Sequence, residues 1–234
     1  LDQELVVCVR LGATHGDLAF GDTESQVACR GIDDARSTGV PLVAHFAGAT
    51  VGPSDGPVGL HAWGTVARAL AGASGVVPTI AVVDGPVVTG LSLVLGLFDV
   101  VVMCDGALAF VSGPAAVWTT TGREIDADHL GGQHLHAHVS GVAHLVATDL
   151  DHALAIVADL LAHLPPNNAE DPPQLPIVDD PERRCDRLDG IVPDDPRVGY
   201  DVRHVVAELV DDGDLLELGA SCGQAIVCGL SRLG

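Results

Sequence analysis

Three histidines, His134, His136 and His138, alternate along one stretch of this chain, with His129 and His144 close by in sequence. On an extended backbone the alternating three would project to one side, and imidazoles gathered on one face are ligands that zinc and related ions accept. The competing reading is a polar loop whose histidines cap and hydrogen-bond the backbone. Gly131-Gly132 and Ser140-Gly141 lie within and beside the run. Such positions shape turns that bring main chain close to a ligand, or simply reverse the chain. The six cysteines (Cys8, Cys29, Cys104, Cys185, Cys222 and Cys228) form no C-x-x-C pair. That speaks against a zinc ribbon or a redox dithiol and for reduced, packed thiols.

These residues need elements to position them. Leu5 to Arg10 predicts a strand, followed by a helix capped by Asp22 or Thr23, with Ala28, Ile32 and Ala35 on one face and Gly39 at its end. Pro41 to Phe46 is a buried-strand pattern. Ala47 to Pro57 predicts a loop, followed by a helix with Leu60, Trp63, Ala67 and Leu70 at helical spacing, stopped by Gly72 and Gly75. Thr79 to Asp84 predicts a strand that turns at Gly85-Pro86 into a buried helix containing VVTGLSLVLG. VVVM and LAFV flank Asp105-Gly106 as hairpin partners. A helix from Asp151 to Leu164 carries Leu154, Val157, Leu161 and Leu164 in its stripe, and Pro165-Pro166 stops it. Residues 167–189 read as an irregular connector. A last helix starts at Asp201 and buries Val202, Val205, Val206 and Leu209, and AIVCGLSRLG begins a strand with no partner downstream. Recurrent strand-loop-helix units with a short extra strand suggest stacked β-β-α layers within an α/β class.

Composition bounds the function. The 234 residues suit one large α/β domain, 1–234. The formal charge of -21 sets 32 Asp and Glu against eleven Arg and no Lys, which repels a polyphosphate backbone and excludes nucleic acid as the expected partner. No apolar run is long enough to span a bilayer, and LDQELVV lacks the basic region of a signal peptide, so a soluble, cytoplasmic protein is expected with no membrane partner. An anionic ligand would need to be drawn in locally by Arg side chains or helix N-termini.

Several segments, in order, resemble the N-terminal half of the biotin-dependent carboxyltransferases, the β subunits of acyl-CoA carboxylases such as the propionyl-CoA enzyme. They are SGVVPTIAVVDGP (Ser74 to Pro86), VTG (Val88 to Gly90), FVSGPAAV (Phe110 to Val117), TGREID (Thr121 to Asp126), LGGQHLHAHVSGVAH (Leu130 to His144), LPPNN (Leu164 to Asn168), LDGIVPDDP (Leu188 to Pro196) and VGYDV (Val198 to Val202). The likeness runs from roughly Asp17 to the end, far more specific than a lone glycine motif. It implies a crotonase-like spiral of stacked β-β-α units. It further implies an acyl-CoA-binding half, with the second, biotin-binding half absent and AIVCGLSRLG resembling that half's opening strand. The partners so implied are a biotin-binding carboxyltransferase half or a full-length carboxyltransferase subunit, a biotin carboxylase and carrier subunit, and a homo- or hetero-oligomer. Biotin would ride on a partner protein, with acyl-CoA as substrate.

The chemistry implied is transfer of a carboxyl group from carboxybiotin to the α-carbon of an acyl-CoA through an enolate. Main-chain N–H groups at a helix start suit the enolate oxygen, being preorganised and favoured by the helix dipole. Thr89 and Gly90 occupy the positions of the family's paired glycines and are the expected catalytic pair. Gly48, Ala49, Thr50, Gly113, Gly131 and Gly132 are the expected CoA-binding positions. No side chain is assigned as proton acceptor, because the ureido anion of biotin can take the α-proton. Only His136 and His144 fall where the family has histidine, and its members need no metal in this domain, so no metal is expected.

The chain departs from the family's pattern at three positions. Thr89 stands where glycine is usual, Thr50 where an arginine follows Gly-Ala, and Trp118 where lysine is frequent. A β-branched residue narrows the approach to the thioester, and the lost arginine fork weakens the hold on CoA phosphates, leaving Arg68 and Arg123 as candidate charge partners. Two other readings therefore stand beside the carboxyltransferase half: a catalytically degenerate homologue with a structural or regulatory role, and a stand-alone crotonase-like thioester decarboxylase.

Overall fold

The computed structural model describes residues 5–12, 20–50, 56–174, 179–180 and 182–233. The order is β1 (Val7–Leu11), α1 (Asp22–Thr38), β2 (Leu42–Phe46), β3 (Ala49–Thr50), α2 (Gly56–Ala73), β4 (Thr79–Val83), β5 (Pro86–Val88), α3 (Gly90–Val94), β6 (Val100–Cys104) and β7 (Leu108–Phe110). Then come α4 (Pro114–Thr121), α5 (Ala127–Gly131), α6 (Gln133–Leu135), β8 (Leu145–Ala147), α7 (Leu150–Leu161), α8 (Leu188–Ile191), α9 (Val202–Leu209), β9 (Leu215–Leu218) and β10 (Cys228–Ser231).

Three successive units, β2-β3-α2, β4-β5-α3 and β6-β7-α4, each donate one strand to each of two sheets before the helix. The long strands form a five-stranded sheet in the order β1-β2-β4-β6-β8, and the short ones a three-stranded sheet in the order β3-β5-β7. Pairing is parallel throughout both. Stacked β-β-α units are thus present, and the reason is legible in the strands. Ala81 and Val83 face one core while Ile80 and Val82 face another, so β4 is buried on both sides and reads as an unbroken apolar run. The first core lies among the large sheet, α1, α2 and α3, with Phe46, Leu70 and Leu91 fully buried. The second is closed by α7 through Ala153, Val157 and Leu160, with Leu216, Leu218 and Leu230 packed against it.

Several expectations are corrected. The helix after β1 is capped by Gly21, whose N–H donates to Glu24 at 3.0 Å, and not by Asp22 or Thr23. In α2 the buried stripe is Ala62, Val66, Leu70 and Ala73, one turn-step away from Leu60, which is exposed. Pro86 opens β5 in place of a turn into a helix. VVVM and LAFV are not a hairpin: β6 pairs with β4 and β8, and β7 crosses to the other sheet to pair with β5. A strand-turn-strand pattern cannot by itself distinguish these, because both leave two apolar runs around a tight turn.

At the far end, α7 is capped by Asp149 and stops at Leu161, with Leu154 exposed and Ala153 and Leu160 taking its place inside. Helix α9 is capped by Asp201 as expected, yet buries none of its residues completely. The closing strand does have a partner, but upstream: β10 pairs antiparallel with β9. Among the described residues between α7 and α8 there is no helix or strand, although Asn167 is buried and donates to the Gly39 carbonyl at 2.8 Å. No helix among the described residues is long and apolar enough to cross a membrane.

Candidate active site

The small sheet gathers segments that are far apart in sequence. Strand β3 lies beside β5 with Ala49 opposite Val87 and Thr50 opposite Val88, which sets the Gly48–Thr50 segment next to the residues leading into Thr89. The side chains of Ala49 and Thr50, and all of 51–55, lie outside the described residues. Gly48 is buried with φ 98°, and a Cβ on Gly85 would sit 2.8 Å from its nitrogen. Glycine at both positions therefore lets the turns after β2 and β4 meet backbone to backbone.

Thr89 takes φ 64° and ψ -142°, a region where a β-branched side chain is strained. Its N–H donates to the Phe110 carbonyl at 3.0 Å, extending the β5-β7 ladder by one bond. Its carbonyl accepts from both the N–H and the hydroxyl of Ser92, at 3.2 and 2.7 Å. The expected pair of open amides is thus corrected at its first member: the Thr89 amide is spent within the sheet. Among the described residues no main-chain carbonyl accepts from the Gly90 N–H. Leu91, next in line, is completely buried.

Gly90 sits directly under the indole of Trp63 on α2. A Cβ there would clash with the ring beside Nε1, its nearest atom, at 2.5 Å from Cε2 and 2.6 Å from Cδ1. Among the described residues the indole N–H has no acceptor in hydrogen-bond range. Trp63 read in the sequence as one more position of an apolar stripe. Its place over Gly90 depends on the tilt of α2 against α3, which no local pattern encodes.

The other expected positions serve the frame around this point. Gly131 packs against β7, where a Cβ would overlap the Ala109 carbonyl and reach Phe110, and Gly132 forms an isolated bridge with Leu108. Both hold the strand whose Phe110 carbonyl closes the Thr89 amide. Gly113 caps α4 with Pro114 at the first helical position, and a Cβ on it would make ordinary contact with Phe110 at 3.5 Å.

The histidine run is helical, not extended. His136 and His138 lie in a short π-helical turn (His136–Ser140) that follows α6, so the three do not share a face. His136 reaches the Ala109 carbonyl at 2.7 Å and Ser140 at 2.8 Å, while the rings of His134 and His138 stack at 4.2 Å. His144 accepts the Val101 N–H on Nδ1 at 3.0 Å, and burial holds its pKa below the ordinary value. Among the described residues no three His, Cys, Asp or Glu gather as a metal would require.

Two clefts flank the region. One of about 830 Å³ is lined by Pro114, Ala115, Trp118, Glu124, Asp126 and His129. Trp118 is half exposed there, and the His129 N–H and ring keep Asp126 below the ordinary carboxylate value, so this cleft is anionic. It does not suit CoA phosphates. A second, of about 410 Å³, runs along α2 past Leu60, His61, Gly64 and Arg68, and offers the guanidinium that a phosphate needs. Arg123 lines neither cleft.

Comparison with known proteins accords with this frame. The family model for the carboxyl transferase domain matches residues 14–234. The propionyl-CoA carboxylase carboxyltransferase subunit of Haloferax mediterranei is 36% identical over 216 residues, 92% of this chain and 42% of that protein. The methylmalonyl-CoA carboxyltransferase 12S subunit of Propionibacterium freudenreichii is 35% identical over 213 residues, 91% of this chain and 40% of that one. A transcarboxylase 12S crystal structure, a hexamer with hydrolysed methylmalonyl-coenzyme A bound, superposes with a TM-score of 0.87 at 35% identity, covering 92% of this chain and 41% of that chain. This chain therefore spans about two fifths of the length of the relatives it matches. Its two stacked parallel sheets are the crotonase-like fold, and by sequence and by structure it belongs to the carboxyl transferase domain family.

Proposed function

We propose that the chain is the acyl-CoA-binding half of a biotin-dependent carboxyltransferase, working with a biotin-binding half on another polypeptide. The observation that carries this reading is the placement of Gly90 at the start of α3, beside the end of β3 and under Trp63. Carboxybiotin on a partner protein would supply the carboxyl group and take up the α-proton. The chain's own task is to bind the thioester and hold its oxygen while charge develops there. The Gly90 N–H is the main-chain donor for that oxygen. The indole N–H of Trp63 is the second donor, in place of the amide that Thr89 gives to Phe110. Arg68 on the same helix meets the CoA phosphates.

A structural or regulatory role is the second reading, favoured by the engaged Thr89 amide and by the indole lying over the glycine. Titration with propionyl-CoA followed by calorimetry separates the two. Catalytic service requires saturable binding, and a carboxylation rate that Trp63→Phe lowers by about tenfold, the worth of a hydrogen bond that strengthens as charge develops on the oxygen. Carboxylation must also appear once a biotin-binding half and carboxybiotin are supplied. Absence of binding with that partner present leaves the structural role.

A further inference from the structure

The alternating histidines divide into one that the fold uses and two that it leaves over. His136 is engaged on both sides of its ring, with Nε2 on the Ala109 carbonyl at 2.7 Å and Nδ1 on the Ser140 hydroxyl at 2.8 Å. His134 and His138 are exposed, and their rings lie face to face, 4.2 Å between centroids and 13° between planes.

The free nitrogens follow from the bonds around them. Nδ1 of His138 lies 3.1 Å from the His134 carbonyl. A carbonyl only accepts, so Nδ1 carries the hydrogen, and in the neutral ring Nε2 presents a lone pair to solvent. Among the described residues no hydrogen bond or ion pair engages that nitrogen or either ring nitrogen of His134. The pair stands four residues apart on a helical stretch, the spacing that sets one side chain over the other. Stacked rings offer their outer edges side by side. The last torsion of a histidine side chain is broad, so both exposed rings can swing until their lone pairs meet at one point.

We infer that His134 and His138 together chelate one late first-row divalent ion, of the nickel, copper or zinc class. Imidazole suits these ions, whereas magnesium and calcium take oxygen ligands. A closed structural site needs four protein ligands, and no group of three gathers among the described residues. Water therefore fills the remaining positions, and the ion is exchangeable. The formal charge of -21 draws cations of every kind toward the surface, and the two lone pairs select among them. The ion also staples the segment that supports β7, since Gly132 bridges to Leu108 and His136 holds the Ala109 carbonyl.

The test is calorimetric titration of the full chain with nickel(II), after iodoacetamide has blocked the exposed thiols of Cys8 and Cys228, which would otherwise compete for the ion. Saturable binding is expected, and in proton NMR spectra the paramagnetic ion broadens the ring signals of His134 and His138 before those of the other histidines. His134→Ala and His138→Ala each lower the affinity at least about tenfold, because a single imidazole loses the second ligand held at high effective concentration. Circular dichroism stays unchanged in both. His129→Ala, at an exposed histidine bonded to Asp126, leaves nickel affinity as it was. Affinity unaltered in either the His134→Ala or the His138→Ala chain would overturn the proposal, as would an equal loss in His129→Ala. Displacement of nickel by about a tenfold excess of magnesium would reduce the effect to attraction by an acidic surface and overturn it too, and so would the absence of saturable binding.

Discussion

The N–H of Thr89 donates to the carbonyl of Phe110 at 3.0 Å, so the residue that ends β5 is held by the end of β7. This one bond carries the small sheet past its last paired strand residue and fixes where α3 begins. It also turns Thr89 into a joint of the frame, and Gly90 is the next residue, the first of α3. The threonine hydroxyl reinforces the joint by donating to the Val88 carbonyl at 2.6 Å.

The strained backbone at Thr89 gives a comparison that needs no assay of activity. Thr89→Ala and Thr89→Gly both remove the hydroxyl, but only glycine adopts φ 64° with ψ -142° without a Cβ penalty. Backbone strain of this kind is worth about 1–3 kcal/mol, offset by the extra freedom of glycine in the unfolded chain. The glycine variant is expected to exceed the alanine variant in unfolding free energy by about 1 kcal/mol in urea titration. Equal stabilities would mean that Thr89 sits in an unstrained well.

The strands β2, β4 and β6 were legible because both faces of the large sheet are buried there, which leaves runs such as Ile80–Val83 without a polar interruption, whereas the short β3, β5, β8 and β9 carry too few residues to show such a run. Helix existence was legible for the same reason that helix faces were partly misread. Leu60 and Leu154 satisfy the spacing of an apolar stripe, yet the buried positions are Ala62 and Ala153, small residues that permit close approach to a neighbouring element. The grouping of VVVM with LAFV failed because parallel pairing across two sheets depends on non-local contacts. Around Thr89 and Gly90, neither the Phe110 carbonyl nor the Trp63 ring could be read, since each reaches Thr89 or Gly90 from a different repeat.

Gly90 and Trp63 should behave as a coupled pair. In the native background Gly90→Ala drives a methyl into the indole and is expected to cost about 1–3 kcal/mol, the range for overpacking. With Trp63→Ala already present the obstruction is gone, and alanine is the better helix residue by up to about 1 kcal/mol, so the same change becomes neutral or stabilising. A double-mutant cycle from denaturant unfolding measures this reversal. Additive effects would place the indole elsewhere.

Cys104 is buried at the end of β6, and that burial, with the carboxylates of Asp84 and Asp149, pushes its thiol up to about 11. At about pH 8 roughly a thousandth of such a thiol is ionised, against about a tenth at the ordinary value of 9.0. Labelling of the native chain with iodoacetamide, mapped by mass spectrometry, should modify the exposed Cys8 and Cys228 while Cys104 reacts only after unfolding. Labelling of Cys104 at a rate comparable to Cys8 in folded protein would show that the second core opens readily.

His144 ties β8 to β6 by accepting the Val101 N–H on Nδ1 and donating its own N–H to the Val101 carbonyl, each at 3.0 Å. A protonated ring has no lone pair for Val101, and burial also penalises the charge, so the folded pKa lies below 6.5. In the window between 6.5 and that lower folded value, the unfolded chain binds a proton that the native chain refuses. Stability from this residue is therefore complete above the window and declines as pH falls through it. His144→Asn keeps an acceptor for Val101 and removes the titration. Urea unfolding on both sides of the window should show a smaller loss on acidification for the asparagine variant than for the native chain. An identical pH dependence in the two proteins would mean that His144 already carries its proton in the fold, and the β6-β8 contact would have to be held without it.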